Sequence, residues 1–254
     1  MIPNQRKMSI FEHLQKEKFS SISELSSLFN VSPVTIHRDL IELEKEGSVS
    51  KIHGGAMLVE NNKMEPRINV RLKRNLGEKK EIAEKAVRLI NDETSIFLDH
   101  SSTCIYLARE ILKRNYQNLV IVTNSVNVLT EMETSYNMNV ISTGGTLQPK
   151  WSALTGPHAL DFISKINFHQ IFISCGGISI EKGLMTSFLF VSEILKKASG
   201  VAKQINLLVD SSKFFKVGTF SIMPVSAVHR IITDRKLDPE LAERYRDLGI
   251  ELFI

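Results

Sequence analysis

Apolar and polar positions recur with two different periods along this chain, and the change of period near residue 78 divides it. Within residues 4–17, Met8, Phe11 and Leu14 repeat at three-residue spacing, the mark of one helical face. Phe19 to Ile22 reads as a short extended piece, and Ser23 then caps a second helix whose Leu25, Leu28 and Phe29 face inward. Asn30-Val31 makes a turn with Val31 buried in it. The next stretch, Ser32 to Leu43, opens with a good cap and with Pro33 as first helical residue, where a missing N–H is harmless. Ile36, Leu40 and Leu43 form its apolar stripe, and Gly47 closes it. At about 100° per residue, Val34 and Arg38 point opposite the stripe, with Thr35 and His37 on its flanks. Val49 and Ile52 then alternate with polar residues before Gly54-Gly55, which suits a small hairpin, or wing, as well as a plain connector. Helix, helix, tight turn, helix and hairpin is the succession of a winged helix-turn-helix.

From Glu78 onward helical patterns alternate with short apolar runs of strand length. Ile82, Ala86 and Leu89 mark a helix that ends at Asn91-Asp92. Strands at 95–98, 119–122, 140–141, 171–173, 207–209 and 231–232 lead into the turns DHSST (99–103), TNS (123–125), STGG (142–145), SCGG (174–177), DSSK (210–213) and TD (233–234). Helical patterns lie between most of them, at 103–113, 126–133, 187–199 and 239–247. Near-continuous apolar strands alternating with helices imply an α/β domain with a doubly wound parallel sheet buried on both faces. The expected division is 1–56 for the winged helix-turn-helix, 57–76 for a basic linker and 77–254 for the second domain. A domain of that size buries about 70% of its unfolded surface.

With 254 residues and 43% hydrophobic positions the chain can fill a large core. No apolar run approaches the roughly 18 residues of a membrane span, and nothing resembles a signal peptide. Cys104 and Cys175 share no metal-ligand spacing and the seven histidines are scattered, so a reduced cytoplasmic protein without metal or cofactor is expected. The net charge of +4 is modest, and its distribution says more. Residues 1–56 hold seven Lys/Arg and seven Asp/Glu, whereas residues 61–80 hold seven basic side chains against two acidic ones. Because phosphate neutralisation dominates nucleic-acid affinity, a neutral module leans on pairing with a second copy and on the basic segment behind it. That segment, with Pro66 and little apolar period, reads either as a solvated linker or as one lying close to a duplex.

The outer face of the third helix, a hydroxyl, an imidazole and a guanidinium, suits a DNA major groove, though a bland amphipathic helix has the same pattern. Ser32, Pro33, Thr35, His37 and Arg38 are the candidate contacts there, and Lys51 and His53 on the wing are placed to touch phosphate. In the second domain the loops after parallel strands gather along one edge, where ligands bind. Ser101, Ser102 and Thr103 start a helix whose free N–H groups suit an anion such as phosphate. Gly144-Gly145 and Gly176-Gly177 admit close backbone approach, Asp99 and Asp210 can accept from sugar hydroxyls, and Lys213 adds a positive charge. Singly, each loop is ordinary cap and turn chemistry; together they favour a binding site.

VSPVTIHRDL (31–40), LEKEG (43–47) and KIHGGA (51–56) resemble the N-terminal signature of DeoR-family transcriptional regulators, sugar-responsive winged helix-turn-helix proteins. The resemblance continues through EKKEIA (78–83), IFLD (96–99), TNS, GG, TG (155–156), LLVDSSKF (207–214) and IITD (231–234), so it covers nearly the whole chain. It implies that Thr35, His37 and Arg38 face DNA. It also implies a second domain similar in fold to ribose-5-phosphate isomerases, sensing a phosphorylated sugar or polyol. Carried over to this sequence, the effector candidates are Asp99, Ser102, Thr103, Thr123, Asn124, Gly144, Gly145 and Lys213. His37 departs from the family, standing where a second arginine is usual. Bidentate pairing of arginine with guanine is worth about 1–3 kcal/mol, and imidazole cannot reproduce it. Ser101 replaces a glycine in the first strand-end loop and His169 an aspartate before the fourth strand, changes that bear on the pocket. The expected protein is a sequence-specific repressor of sugar or polyol genes, not an enzyme, that binds double-stranded operator DNA as a homo-oligomer, dimer or tetramer. A sugar-phosphate isomerase and a regulator with a degenerate pocket are the alternatives. The first is disfavoured because no loop carboxylate is better placed as a base than its neighbours.

Overall fold

In the computed structural model, which describes residues 3–45, 49–52, 54–58, 66–135 and 137–254, helix α1 spans Pro3–Glu17 and strand β1 Phe19–Ser21. Ser21 then starts the second helix, earlier than the expected Ser23. Its hydroxyl accepts the Glu24 N–H at 3.1 Å and the Glu24 carboxylate accepts the Ser21 N–H at 2.8 Å. This reciprocal cap satisfies two donors that no helical carbonyl can reach. Helix α2 (Ile22–Phe29) ends on Asn30, in the left-handed region at φ 50°, where asparagine is more at ease than most residues. Leu25 is buried, with Ile22 and Phe29 partly so on the same side. Leu28, expected inward, lies at the margin of that stripe and is 55% exposed.

Helix α3 (Pro33–Lys45) keeps Ile36, Leu40 and Leu43 buried, and Val31 in the preceding turn is half-buried. Strands β2 (Val49–Ile52) and β3 (Gly55–Leu58) form the hairpin, and β1 pairs antiparallel with β3 to complete a sheet in the order β1-β3-β2. Gly55 has no room for a side chain, since a Cβ there would stand 2.6 Å from the Ser20 carbonyl oxygen across that pair. Ile10, Phe11 and Leu14 from α1 join Leu25, Ile36, Leu40, Leu43, Val49 and Ala56 in one core. A buried ion pair borders it: the Arg6 guanidinium donates to both Asp39 carboxylate oxygens, at 2.6 and 3.3 Å, and ties α1 to α3. The arrangement is a winged helix-turn-helix. The side chain of Met8, and Gly47 and His53 altogether, lie outside the described residues.

Of the stretch expected as a linker, residues 59–65 lie outside the described residues. Residues 57–58 belong to β3, and helix α4 (Ile68–Lys73) buries Ile68 and Val70. Ile68, Val70 and Leu72 stand at two-residue spacing, which is not a helical period, so the pattern does not announce a helix. Arg74 stacks its guanidinium 4.9 Å from the centroid of the Phe11 ring. The chain divides into two units after Arg74, so α4 folds with the first.

In the second unit helix α5 (Leu76–Ala86) precedes β4 (Ser95–Leu98), α6 (Ser102–Leu112), β5 (Val120–Thr123), α7 (Val126–Glu131) and β6 (Asn139–Ser142). A hairpin of β7 (Thr146–Gln148) and β8 (Ala153–Thr155) leads to α8 (Pro157–Ser164), β9 (Phe168–Ile173), β10 (Gly177–Ser179) and β11 (Gly183–Thr186). The chain finishes with α9 (Leu189–Ser199), β12 (Ala202–Leu208), β13 (Phe220–Met223), β14 (Arg230–Ile232), α10 (Pro239–Arg246) and β15 (Glu251–Phe253). Seven strands form one sheet in the order β15-β14-β12-β9-β4-β5-β6, and every neighbouring pair is parallel. Phe97 joins a core with side chains from α8, α9 and α10, while Ile96 and Leu98, equally buried, alternate to the other face. Such strands need cover on both sides, which is why their apolar runs are continuous. The strand β15, the β7–β8 hairpin, α8 and the antiparallel sheet β10-β11-β13 fall in short mixed stretches where neither period develops.

Candidate functional site

The first candidate surface is the outer side of α3. The Ser32 hydroxyl accepts the Thr35 N–H at 3.2 Å and lies 2.9 Å from the Thr35 hydroxyl. This cap orients the first turn, so that Pro33, Val34, His37 and Arg38 stand exposed while Ile36 and Leu40 are buried. Val34, 74% exposed, lines an open groove of ≈ 500 Å³ with Ile22, Pro33, His37, Arg38 and Ile41. Apolar contact with a thymine methyl is one way of reading a base edge. Val34 therefore joins the candidates, although no polar signal marks it in the sequence. Lys51 lies on β2, and its N–H donates to the Glu44 carboxylate at 2.8 Å, fixing the wing against α3.

The second candidate region is the edge where the parallel strands end. From β4 the chain winds outward through β5 and β6, then returns to β9 and winds the other way, so the reversal lies between β4 and β9. Ligands of such sheets bind outside that point. Asp99 stands there, at the end of β4, and is 1% exposed. One of its oxygens accepts the Ser101 N–H and the other the Ser174 N–H, each at 2.8 Å. It clasps the loop after β4 to the loop after β9. Asp234 does the same beyond β14, accepting the Ser211 N–H at 2.7 Å. Asp210, at the end of β12, accepts the Ser212 N–H at 3.2 Å and the Asn75 amide at 3.0 Å. Burial alone would raise the Asp210 pKa, but Lys213, Ser212, Lys79 and Asn75 outweigh it and hold the carboxyl below its usual range. The two carboxylates expected to accept from a sugar are thus already engaged by the protein's own donors.

Other groups at this edge are less committed. Lys213 Nζ donates to the Ser174 hydroxyl at 3.0 Å. Ser101 caps α6, its hydroxyl accepting the Cys104 N–H at 3.2 Å with an ordinary φ of −69°. The serine that departs from the family's glycine is therefore the helix cap. The first N–H groups of α6 have no helical acceptor. Ser102 and Thr103 are buried, and Thr103 Oγ1 has no hydrogen-bond partner among the described residues. Thr123 is used internally, donating to the Leu98 carbonyl at 2.7 Å and accepting the Ser125 N–H at 3.0 Å. Asn124 donates to the Leu154 carbonyl at 3.2 Å, but its Oδ1 is buried without a partner among the described residues. Gly144 has open space around it, whereas a Cβ on Gly145 would stand 2.4 Å from the Thr155 carbonyl oxygen, so Gly145 is demanded by packing.

His169 does not belong to this edge. It lies at the start of β9, where its Nδ1 accepts the Ser95 N–H at 3.1 Å, at the opposite end of the sheet. Both cysteines are buried: Cys104 donates to the Phe172 carbonyl at 3.2 Å, and burial pushes the Cys175 thiol up to about 12 despite the nearby Lys213. Among the described residues no three His, Cys, Asp or Glu side chains gather as a metal site, and no helix is long and apolar enough to cross a membrane.

Residues 6–62 match the DeoR-like helix-turn-helix domain and residues 74–235 the DeoR C terminal sensor domain. The HTH-type transcriptional regulator GolR of Listeria innocua is 30% identical over 254 residues, covering 100% of this chain and 99% of that protein. The putative aga operon transcriptional repressor of Escherichia coli O157:H7 is 27% identical over 253 residues, covering 99% and 93%. Among solved structures, ribose 5-phosphate isomerase A from Methanocaldococcus jannaschii is similar over 54% of either chain, at 18% identity and a TM-score of 0.39. With a reading module and a sensor domain matched in order, and a relative aligned end to end, the chain belongs to the DeoR family of helix-turn-helix transcriptional regulators.

Proposed function

We propose that this regulator represses genes of sugar or polyol metabolism by holding double-stranded operator DNA with α3 and the wing. A phosphorylated sugar or polyol, bound at the ends of β4 and β9, changes that hold. Ser32, Pro33, Thr35, His37 and Arg38 meet the major groove, and Lys51 with His53 meets phosphates. In the sensor domain the ligand's phosphate lies against Lys213 and the N-terminus of α6, and its hydroxyls against Thr103 and Asn124. One observation carries this reading. The strand ends on either side of the sheet's reversal carry Lys213, the first amides of α6 and two buried oxygens without partners among the described residues, while Asp99, Asp210 and Asp234 are tied to neighbouring donors. An isomerase needs a carboxylate free to move a proton, so that engagement supports sensing over turnover. The working form is a cytoplasmic homo-oligomer, dimer or tetramer, because helix-turn-helix modules pair on half-sites about one DNA turn apart.

The test uses the full-length protein. Phosphorylated sugars and polyols are screened by thermal shift, where a binder at about 100 Kd adds roughly 2.7 kcal/mol of stability. Hits are then added to a complex with operator fragments selected from a random library, followed by anisotropy. A stabilising hit that alters operator affinity is expected, as is a loss of about 1–3 kcal/mol of binding in Arg38→Ala. Turnover of a hit, or operator binding by Arg38→Ala equal to the wild type, overturns the reading.

A further inference from the structure

Trp151 lies in the turn between β7 and β8, Phe188 immediately precedes α9, and Phe190 is in its first turn. Trp151 packs against Phe188 and Phe190 with ring centroids 4.6 and 5.1 Å apart and planes inclined at 64° and 67°. Two contacts anchor this cluster to the ligand edge. Phe190 lies 6.5 Å from the ring of His100, the residue next to Asp99. The hairpin carrying Trp151 is bonded to Asn124, whose carbonyl accepts the Leu154 N–H at 2.7 Å. All three aromatic side chains are only half-buried. The indole Nε1–H is nonetheless shielded from solvent and has no acceptor among the described residues. A tryptophan buried for packing usually finds a partner for that group. A sheltered donor without an acceptor among the described residues, set among half-exposed aromatic rings and with the Lys150 ammonium 5.1 Å from the indole centroid, has the make-up of a pocket wall.

We infer that Trp151, Phe188 and Phe190 form the wall against which the ring of a cyclic sugar phosphate lies. The sugar's C–H face rests on aromatic carbon and one of its oxygens accepts from the indole N–H. This rests on the effector reading above and narrows it, with phosphate at Lys213 and α6 and the ring at the wall. An open-chain polyol phosphate offers as many hydroxyls but no rigid C–H face, and it loses more conformational freedom on binding. The ring form binds about tenfold tighter.

Trp151 is the single tryptophan of the chain, so the intrinsic fluorescence of the full-length protein reads the wall directly. The probes are inorganic phosphate, locked 1,5-anhydrohexitol and 2,5-anhydrohexitol 6-phosphates, and open-chain hexitol 6-phosphates of matching configuration. At least one locked ring is expected to bind about tenfold tighter than its open-chain counterpart and to shift the tryptophan emission. Trp151→Leu and Phe190→Leu keep apolar bulk and are expected to bring the two affinities level, the locked ring losing about tenfold and the open chain less than the ring. Phe190→Leu retains the fluorophore and covers a failure of Trp151→Leu to fold. Equal affinity for rings and open chains, or a ring preference that survives both substitutions, overturns the wall and leaves the phosphate site standing. If no phosphorylated compound binds, by fluorescence or thermal shift, both fall together.

Discussion

Asp99 shows how a strand-end carboxylate is occupied before any ligand arrives. Its position at the edge was legible, because the apolar run of β4 stops there. Its duty was not, because the Ser174 N–H it accepts comes from 75 residues away in sequence. The same holds for Asp210 and Asn75, separated by 135 residues. In Asp99→Asn the amide can accept one of the two N–H groups but turns its own NH2 toward the other. A buried donor left unsatisfied costs about 1–3 kcal/mol, so urea denaturation of the ligand-free protein should show a loss of that size. A residue that served only the ligand would leave it unchanged. Asp210 makes a prediction with pH. Its carboxyl titrates lower in the folded chain than in the unfolded one, so its ionised form contributes stability that is complete above the unfolded value. That contribution disappears as pH falls through the lower, folded value. The stability gap between wild type and Asp210→Asn should therefore begin to narrow below about pH 4, and go on narrowing as pH falls through the lower, folded value, in an acid series of urea melts.

Helices with a sustained period were the most legible elements, and their ends the least. Two serines compete to start α2, and the S-x-x-E spacing from Ser21 to Glu24 decides between them. That signal stands in the sequence, but the apolar period alone points to Ser23. The three-residue strands of the β7–β8 hairpin and of β15 carry no period at all, and only pairing with neighbours makes them strands. What sets α3 against α1 was equally hidden: Arg6 and Asp39 count as two of many balanced charges until the fold brings them together. Removing one partner of a buried pair strands the other charge, at a cost of about 3–5 kcal/mol. Asp39→Ala should lower the stability of the reading module by that amount in thermal or urea unfolding, and operator binding should weaken with it. Arg6→Met with Asp39→Leu, which removes both charges, should recover most of the loss.

Across the whole chain, order of domains and type of sheet were legible because both depend on long patterns, while a count of charges does not say what the side chains of the basic segment do. Arg74 lies on Phe11, and Lys79 is buried where its charge acts on Asp210, so part of that excess serves the fold. If operator and effector are coupled, the coupling is reciprocal. A compound that weakens operator binding about tenfold should itself bind the operator complex about tenfold more weakly than the free protein. Calorimetric titration of the compound into each should return matching ratios. Asn75 gives this coupling a route. It is the first residue of the sensor unit, held in the left-handed conformation at φ 49°, with its amide on Asp210 and on the Ser212 hydroxyl at 3.1 Å. Both acceptors sit in the turn that presents Lys213. The polypeptide leaving the first unit is thus moored to the loop proposed to meet the anion, and a ligand that rotates this loop pulls on the mooring. If the anion binds as proposed, its first effect outside the pocket falls on Asn75, one peptide bond from Arg74.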